Sequence, residues 1–259
     1  MTTLMHPTAV CELLPWDSEF FHCRIGKLRG DTLNEADARE IEEWRRSERI
    51  HGLYFLARAS CPVTIQTAAN HGFELVDIRV TLECSVPNPR DLSNTQLPPK
   101  PDIRAARSED LPALQAIART AHRDSRFFSD PHFPRHKAEA LYSTWIGLEY
   151  GGRAQRVWVA ASSADEALGY LSCHLDSTNQ AGQIGLMGID SRARGKGLGK
   201  SLVLTALQWF ASHGGKEVTV VTQGKNIAAQ RLYQRCGFVI RDLQLWYHKW
   251  YSPPVIQNA

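Results

Sequence analysis

The chain has 259 residues, enough for one large domain or two small ones, each with a workable core. Apolar residues make up 43% and charged residues 22%, with a formal net charge of +3; this is ordinary for a soluble globular protein and too weakly basic to suggest nucleic acid or a membrane surface as partner. No apolar run of about 18 residues exists for a spanning helix, and Glu12, Asp17 and Glu19 stand where a secretory leader would be basic and then apolar, so the expected location is the cytoplasm.

The first part, to residue 86, reads as strand, helix, strand, helix, Gly72-Phe73, strand. Residues 87–102 then carry Pro87, Pro89, Pro98, Pro99 and Pro101 and almost no large apolar side chain. Prolines fix φ and remove backbone donors, so this segment predicts an extended linker between domains 1–86 and 103–259. Beyond it comes a short strand at Ile103–Ala106. Ser108 is the expected N-cap of a helix with Pro112 in its first turn, running to Ala121. Tyr142–Leu148 reads as helix; Arg156–Ala161, Leu168–Leu175 and Gln183–Asp190 read as strands. A helix over Lys196–His213 places Leu198, Leu202, Ala206, Trp209 and Phe210 inward and ends at Gly214-Gly215. Glu217–Thr222 reads as a buried strand, Asn226–Cys236 as an amphipathic helix closed by Gly237, and Phe238–Trp250 as one or two strands. The alternation predicts an α/β (α+β) fold, a mixed sheet flanked by helices.

The first part holds a degraded copy of the second. One constant offset lays Leu53–Ala57 on Val218–Thr222, Gly72-Phe73 on Gly237-Phe238 and Arg29-Gly30 on Arg194-Gly195. The copy lacks key groups: Thr32 and Asn34 stand for Gly197 and Gly199, Cys61 for Asn226, and Ala68 for Tyr233. The scattered Cys11, Cys23, Cys61, Cys84, Cys173 and Cys236 form no CxxC pair and read as separate reduced thiols, so no metal site is expected.

Two motifs carry chemistry. Arg194-Gly195-Lys196-Gly197-Leu198-Gly199-Lys200 lies between a predicted strand and a predicted helix. A helix N-terminus offers unpaired N–H groups and a positive dipole end, glycines admit an anion to the backbone, and Arg194 and Lys196 add charge. The expectation is a pyrophosphate cradle. Its glycine spacing fits neither a Walker loop nor GxGxxG. In the second motif Asn226, Ala229 and Tyr233 share one helical face, with a small residue between two polar ones.

Together and in this order the motifs resemble the GNAT acetyltransferase superfamily: Arg194, Gly197 and Gly199 match its loop, and Asn226, Ala229, Tyr233, Gly237 and Phe238 match its later helix. The resemblance covers residues 103–250. It implies a GNAT-like second part preceded by a smaller, half-GNAT-like domain, with acetyl-CoA as cosubstrate. The loop amides would hold the CoA pyrophosphate, Met187-Gly188-Ile189 would splay to meet the pantetheine arm, and Tyr233 would protonate the departing thiolate. A backbone N–H near Met187–Ile189 would stabilise charge on the carbonyl oxygen.

A narrower resemblance, to dTDP-4-amino-4,6-dideoxygalactose (dTDP-fucosamine) N-acetyltransferases, lies in Leu14-Pro-Trp16-Asp-Ser-Glu-Phe20-Phe21, Asp124-Ser125-Arg126-Phe127 and Ala140-Leu141-Tyr142-Ser-Thr-Trp145-Ile146. It implies a nucleotide-linked amino sugar as acceptor. Arg123, Arg126, Phe127 and Phe133 suit a nucleoside diphosphate, guanidinium to phosphate and ring to base. No acidic residue lies within Gln183–Ile189, so His174 on the preceding strand is the candidate base. The partners expected are a small-molecule amine, with no nucleic acid and no membrane, and a homodimer is left open. Rival readings are an acetyltransferase of an antibiotic amine or a peptide N-terminus, and a non-catalytic acyl-CoA-binding module.

Overall fold

The computed structural model describes residues 10–86 and 102–251. In chain order these form β1 (Cys11–Leu13), α1 (Pro15–Phe21), β2 (Ile25–Leu28), α2 (Glu35–Ser47), β3 (Gly52–Arg58), α3 (Pro62–Asn70) and β4 (Glu74–Ser85). They continue with β5 (Asp102–Ala105), α4 (Leu111–Ala121), α5 (Arg126–Ser129), α6 (Arg135–Leu148), β6 (Arg156–Ala161), β7 (Ala167–Asp176) and β8 (Ala181–Ile189). The last are α7 (Leu198–Ser212), β9 (Glu217–Gln223), α8 (Ile227–Arg235) and β10 (Val239–Trp250). The proline-rich segment lies outside the described residues up to residue 101. No helix among the described residues is long and apolar enough to cross a membrane.

The chain packs as two compact units: Met1–Arg79 with Ser129–Phe133 and Leu243–Ala259, and Val80–Phe128 with Pro134–Asp242. In the second unit the strand order is β4-β9-β8-β7-β6-β5. β5 to β8 pair antiparallel with their neighbours, and β8 pairs parallel with β9. The apolar stripe of α7 covers this sheet. Leu198, Leu202, Ala206, Trp209 and Phe210 are all buried, as their spacing predicts. Gly214 at φ 82° turns the chain off the helix, and the Gly215 N–H donates to the Phe210 carbonyl at 2.8 Å.

In the first unit the order is β1-β2-β3-β10, with β2 and β3 parallel and the other pairs antiparallel. Its core gathers Leu28, Leu33, Ile41, Leu53, Phe55 and Phe73. A second, polar centre lies around Asp130. This buried carboxylate accepts from His248 Nδ1 at 2.6 Å, His132 Nδ1 at 2.8 Å and Trp250 Nε1 at 2.8 Å.

The offset seen in the sequence carries β3, α3 and β4 onto β9, α8 and β10 with coincident ends. Gly30 and Gly195, matched by the same offset, both stand at φ 77°. The division into units nevertheless differs from the expected cut at residues 87–102. Val80, Leu82 and Cys84 of β4 are buried in the second unit's core, and Gln244–Trp250 of β10 pair with Gly52–Arg58 of β3 in the first. Each unit therefore contains a strand from the other half of the sequence. A cut between 1–86 and 103–259 would strip both cores, because the ladder and burial are non-local while the linker is only a local signal.

A second correction concerns α4. Ser108 opens a single 3₁₀ turn and its hydroxyl turns to Glu109. The group that fixes the entry is the Asp110 carboxylate, which accepts the Arg107 N–H at 2.7 Å and two Arg104 guanidinium bonds at 2.7 and 2.8 Å.

Candidate active site

The site forms where β8 parts from β9. Their parallel ladder ends at the pair Ile184 and Val220, while β8 stays paired with β7 as far as Ile189. A bulge in β8 between Ile184 and Met187 inserts one residue against Leu171 and Cys173. The Leu186 N–H donates to Ser172 Oγ at 2.8 Å, and the Asp190 N–H to the Leu168 carbonyl at 2.9 Å, both on the β7 side. Successive amides of an extended strand point to opposite edges, so those of Met187 and Ile189 face the edge that β9 has left. Met187, Gly188 and Ile189, which the resemblance links to the pantetheine arm, thus lie beyond the end of the β8/β9 ladder.

Tyr233 projects from α8 to the same strand. It is 5% exposed, and its hydroxyl donates to the Met187 thioether sulfur at 3.6 Å. Burial pushes the phenol well above its ordinary pKa, so it keeps its proton across the neutral range. Asn226 caps α8, its side-chain oxygen accepting from the Ala229 N–H at 3.1 Å. Its side-chain amide nitrogen is then the part a ligand can use. Ala229 packs half-buried against the core beside Leu232.

The loop from β8 to α7 has the expected backbone. Gly195 and Gly197 stand at φ 77° and 80°, conformations that strain any side chain. Gly197 is the N-cap of α7, and no side chain caps the helix. Its first amides therefore lack an intrahelical partner and face outward. Leu198 is buried and can present only its N–H; Arg194 and Lys196 are exposed and Lys200 is half-buried. Among the described residues neither Arg194 nor Lys196 makes an ion pair within 4.0 Å. Gly199 is small for another reason: a Cβ there would lie 3.0 Å from Leu232 and 3.1 Å from Met187, so glycine lets α7 approach α8. The matching position in the first unit is built differently. Asn34 accepts from the Ala36 and Asp37 N–H groups in a capping box, with Glu35 and Asp37 in the first turn. Those donors are spent and the charge there is negative.

The residues expected to hold the acceptor are divided between the two units. Phe133 belongs to the core of the first unit, 5% exposed, with Phe21 at 4.5 Å, Trp250 at 5.3 Å and His248 at 5.8 Å between ring centroids. It is buried among these rings and offers little exposed surface for a base to stack on. Phe127 lies in the second unit, buried edge-on against Trp145, with the Arg126 guanidinium 4.1 Å above its own ring. That cation and that ring face each other. Arg123 is exposed.

His174, the candidate base, donates or accepts through Nε2 at 2.7 Å from Glu149 Oε2. Glu149 was not singled out from the sequence. It opens the wide turn Glu149–Arg153 after α6, where Gly152 stands at φ 113°; the Gly151-Gly152 pair was the available signal. Burial alone would raise the Glu149 carboxyl, but hydrogen bonds from His174 and Ser172 hold it below the usual range. Among the described residues no group of three or more His, Cys, Asp or Glu is placed to hold a metal ion.

The acetyltransferase (GNAT) family profile matches residues 114–238, which spans these motifs. The chain is 28% identical over 179 residues to a dTDP-fucosamine acetyltransferase of Escherichia coli O6:H1, covering 69% of this chain and 72% of that one. It is 29% identical over 160 residues to the spore coat polysaccharide biosynthesis protein SpsD of Bacillus subtilis, covering 59% of this chain. The chain spans about half the length of that relative, 52%. In fold it is similar to a GCN5-related N-acetyltransferase from Sphaerobacter thermophilus, with a TM-score of 0.65, 17% identity, and coverage of 95% of this chain and 77% of that one. Residues 114–238 of the chain therefore carry a GNAT acetyltransferase domain.

Proposed function

We propose that this protein transfers an acetyl group from acetyl-CoA to a primary amine, the 4-amino group of a nucleotide-linked (dTDP) amino-deoxy sugar, by direct attack with Tyr233 as general acid. The observation that carries the reading is the Tyr233 hydroxyl, buried and already donating to a sulfur at the opening between β8 and β9. A phenol held protonated there can donate to the CoA sulfur as the C–S bond breaks. The residues of the second unit fit acetyl-CoA: an uncapped helix N-terminus behind Gly195 and Gly197 for the pyrophosphate, and unpaired strand amides for the pantetheine arm. When bound, the thioester supplies the activated acetyl group. The first unit, with its capping box and acidic first turn, holds no second cofactor. The amino-sugar acceptor rests on the similarity to the dTDP-fucosamine acetyltransferase and to SpsD; a cytoplasmic location is part of the same proposal.

A CoA-release assay with dTDP-linked 4-amino sugars, aminoglycosides and peptides tests this. The highest kcat/KM is expected for a nucleotide-linked amino sugar, with N-acetylated product. Turnover confined to peptides or aminoglycosides would move the chain to another acceptor class.

A further inference from the structure

The acceptor amine is an ammonium ion at neutral pH and must lose a proton to attack. β8 supplies no acid or base of its own between Gln183 and Ile189. Its bulge compensates. Ile184 and Met187 both pack on the core face, which leaves Gly185 directed to the other face. A Cβ on Gly185 would lie 2.6 Å from Ser172 Oγ, 2.7 Å from His174 Nε2 and 3.1 Å from Glu149 Oε2. The space that a β8 side chain would fill is thus taken by three polar groups from β7 and from the turn after α6.

Resting on the acetyltransferase reading above, we infer that His174 takes the acceptor's proton, that Glu149 positions and charges it from behind, and that Gly185 is glycine to admit the pair. The arrangement has a direction. Glu149 is buried and ionised, so it takes the hydrogen on His174 Nε2, while Ser172, fully buried, takes the Leu186 N–H and donates to Glu149. His174 is the exposed end, 28% accessible, and its Nδ1 makes no hydrogen bond with a described residue. A lone pair is therefore presented outward and a carboxylate stabilises the imidazolium that forms. The strand separates this base from Tyr233, which meets Met187 on the core face, so acid and base cannot neutralise each other.

The protons balance. The bound ammonium gives one proton to His174 Nδ1, and the freed pair on nitrogen forms the C–N bond. As the C–S bond breaks, its pair goes to sulfur, which takes the Tyr233 proton. The second nitrogen proton and the proton on His174 pass to solvent, and one proton returns to the phenol. The other groups around the pair are Arg153 on the same turn, which favours the Glu149 anion, and Tyr170 on β7, which is pushed up by burial. Behind Tyr170 stand Tyr142 and a His122 that burial lowers to about 4, so His122 keeps its neutral form between pH 6 and 9.

The test combines pH profiles of kcat and KM for wild type, His174→Gln, Glu149→Gln and Tyr233→Phe with an NMR titration of the His174 imidazole. His174→Gln should lower kcat at pH 7 by on the order of 10²-fold with the KM for acetyl-CoA unchanged. Its remaining rate should climb about tenfold per pH unit, because only the amine's own ionisation then feeds the reaction. In Glu149→Gln the imidazolium loses its anion, so the His174 midpoint and the acid limb of the profile should both move to lower pH. A merely structural Glu149 would lower Tm and leave that limb in place. His174 is partly exposed, so His174→Gln reports on the base even if Glu149→Gln unfolds. A His174→Gln profile parallel to wild type, beside a damaged Tyr233→Phe, overturns the dyad and leaves the acetyltransferase standing. Should wild type release CoA with no amine, the acetyltransferase reading fails, and an unmoved His174 midpoint in Glu149→Gln separately overturns the pairing.

Discussion

Tyr233→Phe is expected to lower kcat by on the order of 10²-fold or more while leaving the KM for acetyl-CoA nearly unchanged. The substitution keeps the ring against Phe238, 5.7 Å between centroids, and deletes only the hydroxyl. That hydroxyl is buried and its one polar contact is a weak acceptor, the Met187 sulfur, so its loss costs the fold little. In the proposed mechanism what is lost is a proton donor used as the thiolate departs, an interaction made in the transition state and not in substrate binding. The pyrophosphate and pantetheine contacts are proposed on other residues, so KM is expected to stay. Steady-state kinetics with the chemical step verified as rate-limiting checks this. Wild-type kcat in Tyr233→Phe would make the residue a core tyrosine.

Gly197→Trp should weaken acetyl-CoA binding by on the order of 10²-fold or more, measured by calorimetry. Two effects combine. A side chain at φ 80° is strained, by about 1–2 kcal/mol for an ordinary residue. The indole also covers the uncapped amides at the start of α7, and each charge-assisted hydrogen bond lost is worth about 1.5–3 kcal/mol. Gly30→Trp is the control. It changes the first-unit counterpart of Gly195, likewise at a positive φ of 77° and with nothing within 4 Å of an added Cβ, and should leave the affinity unchanged. Equal affinity in Gly197→Trp and wild type would remove the cradle.

The legible parts of the fold and site are those whose partners are near in sequence. The α7 stripe, the Gly214-Gly215 stop, and the shared face of Asn226, Ala229 and Tyr233 follow from helical spacing alone. The repeat was legible because it preserves both spacing and the special backbone at Gly30 and Gly195. Non-local pairing was not. Nothing local in Glu74–Ser85 or Val239–Trp250 says that each strand ends in the unit of the other half, and the proline-rich segment drew attention to the wrong place. Burial misled in the same way. Phe133 sits in a run of arginines and rings that reads as a binding loop, yet tertiary packing buries it among other rings. Glu149 was missed because its partner His174 lies on another element, and the glycine at position 185 that admits both is read from sequence only as a weak spot in a strand.

In the proposed reaction one acetyl-CoA binds in the second unit with its sulfur against Tyr233. A crystal structure of the chain with acetyl-CoA tests it most directly. One cofactor per chain is expected, its pyrophosphate on the amides that follow Gly197, its pantetheine along the open edge of β8, and its sulfur within hydrogen-bond reach of the Tyr233 hydroxyl. A cofactor seated against Gly30, or a thioester held away from Tyr233, would contradict it.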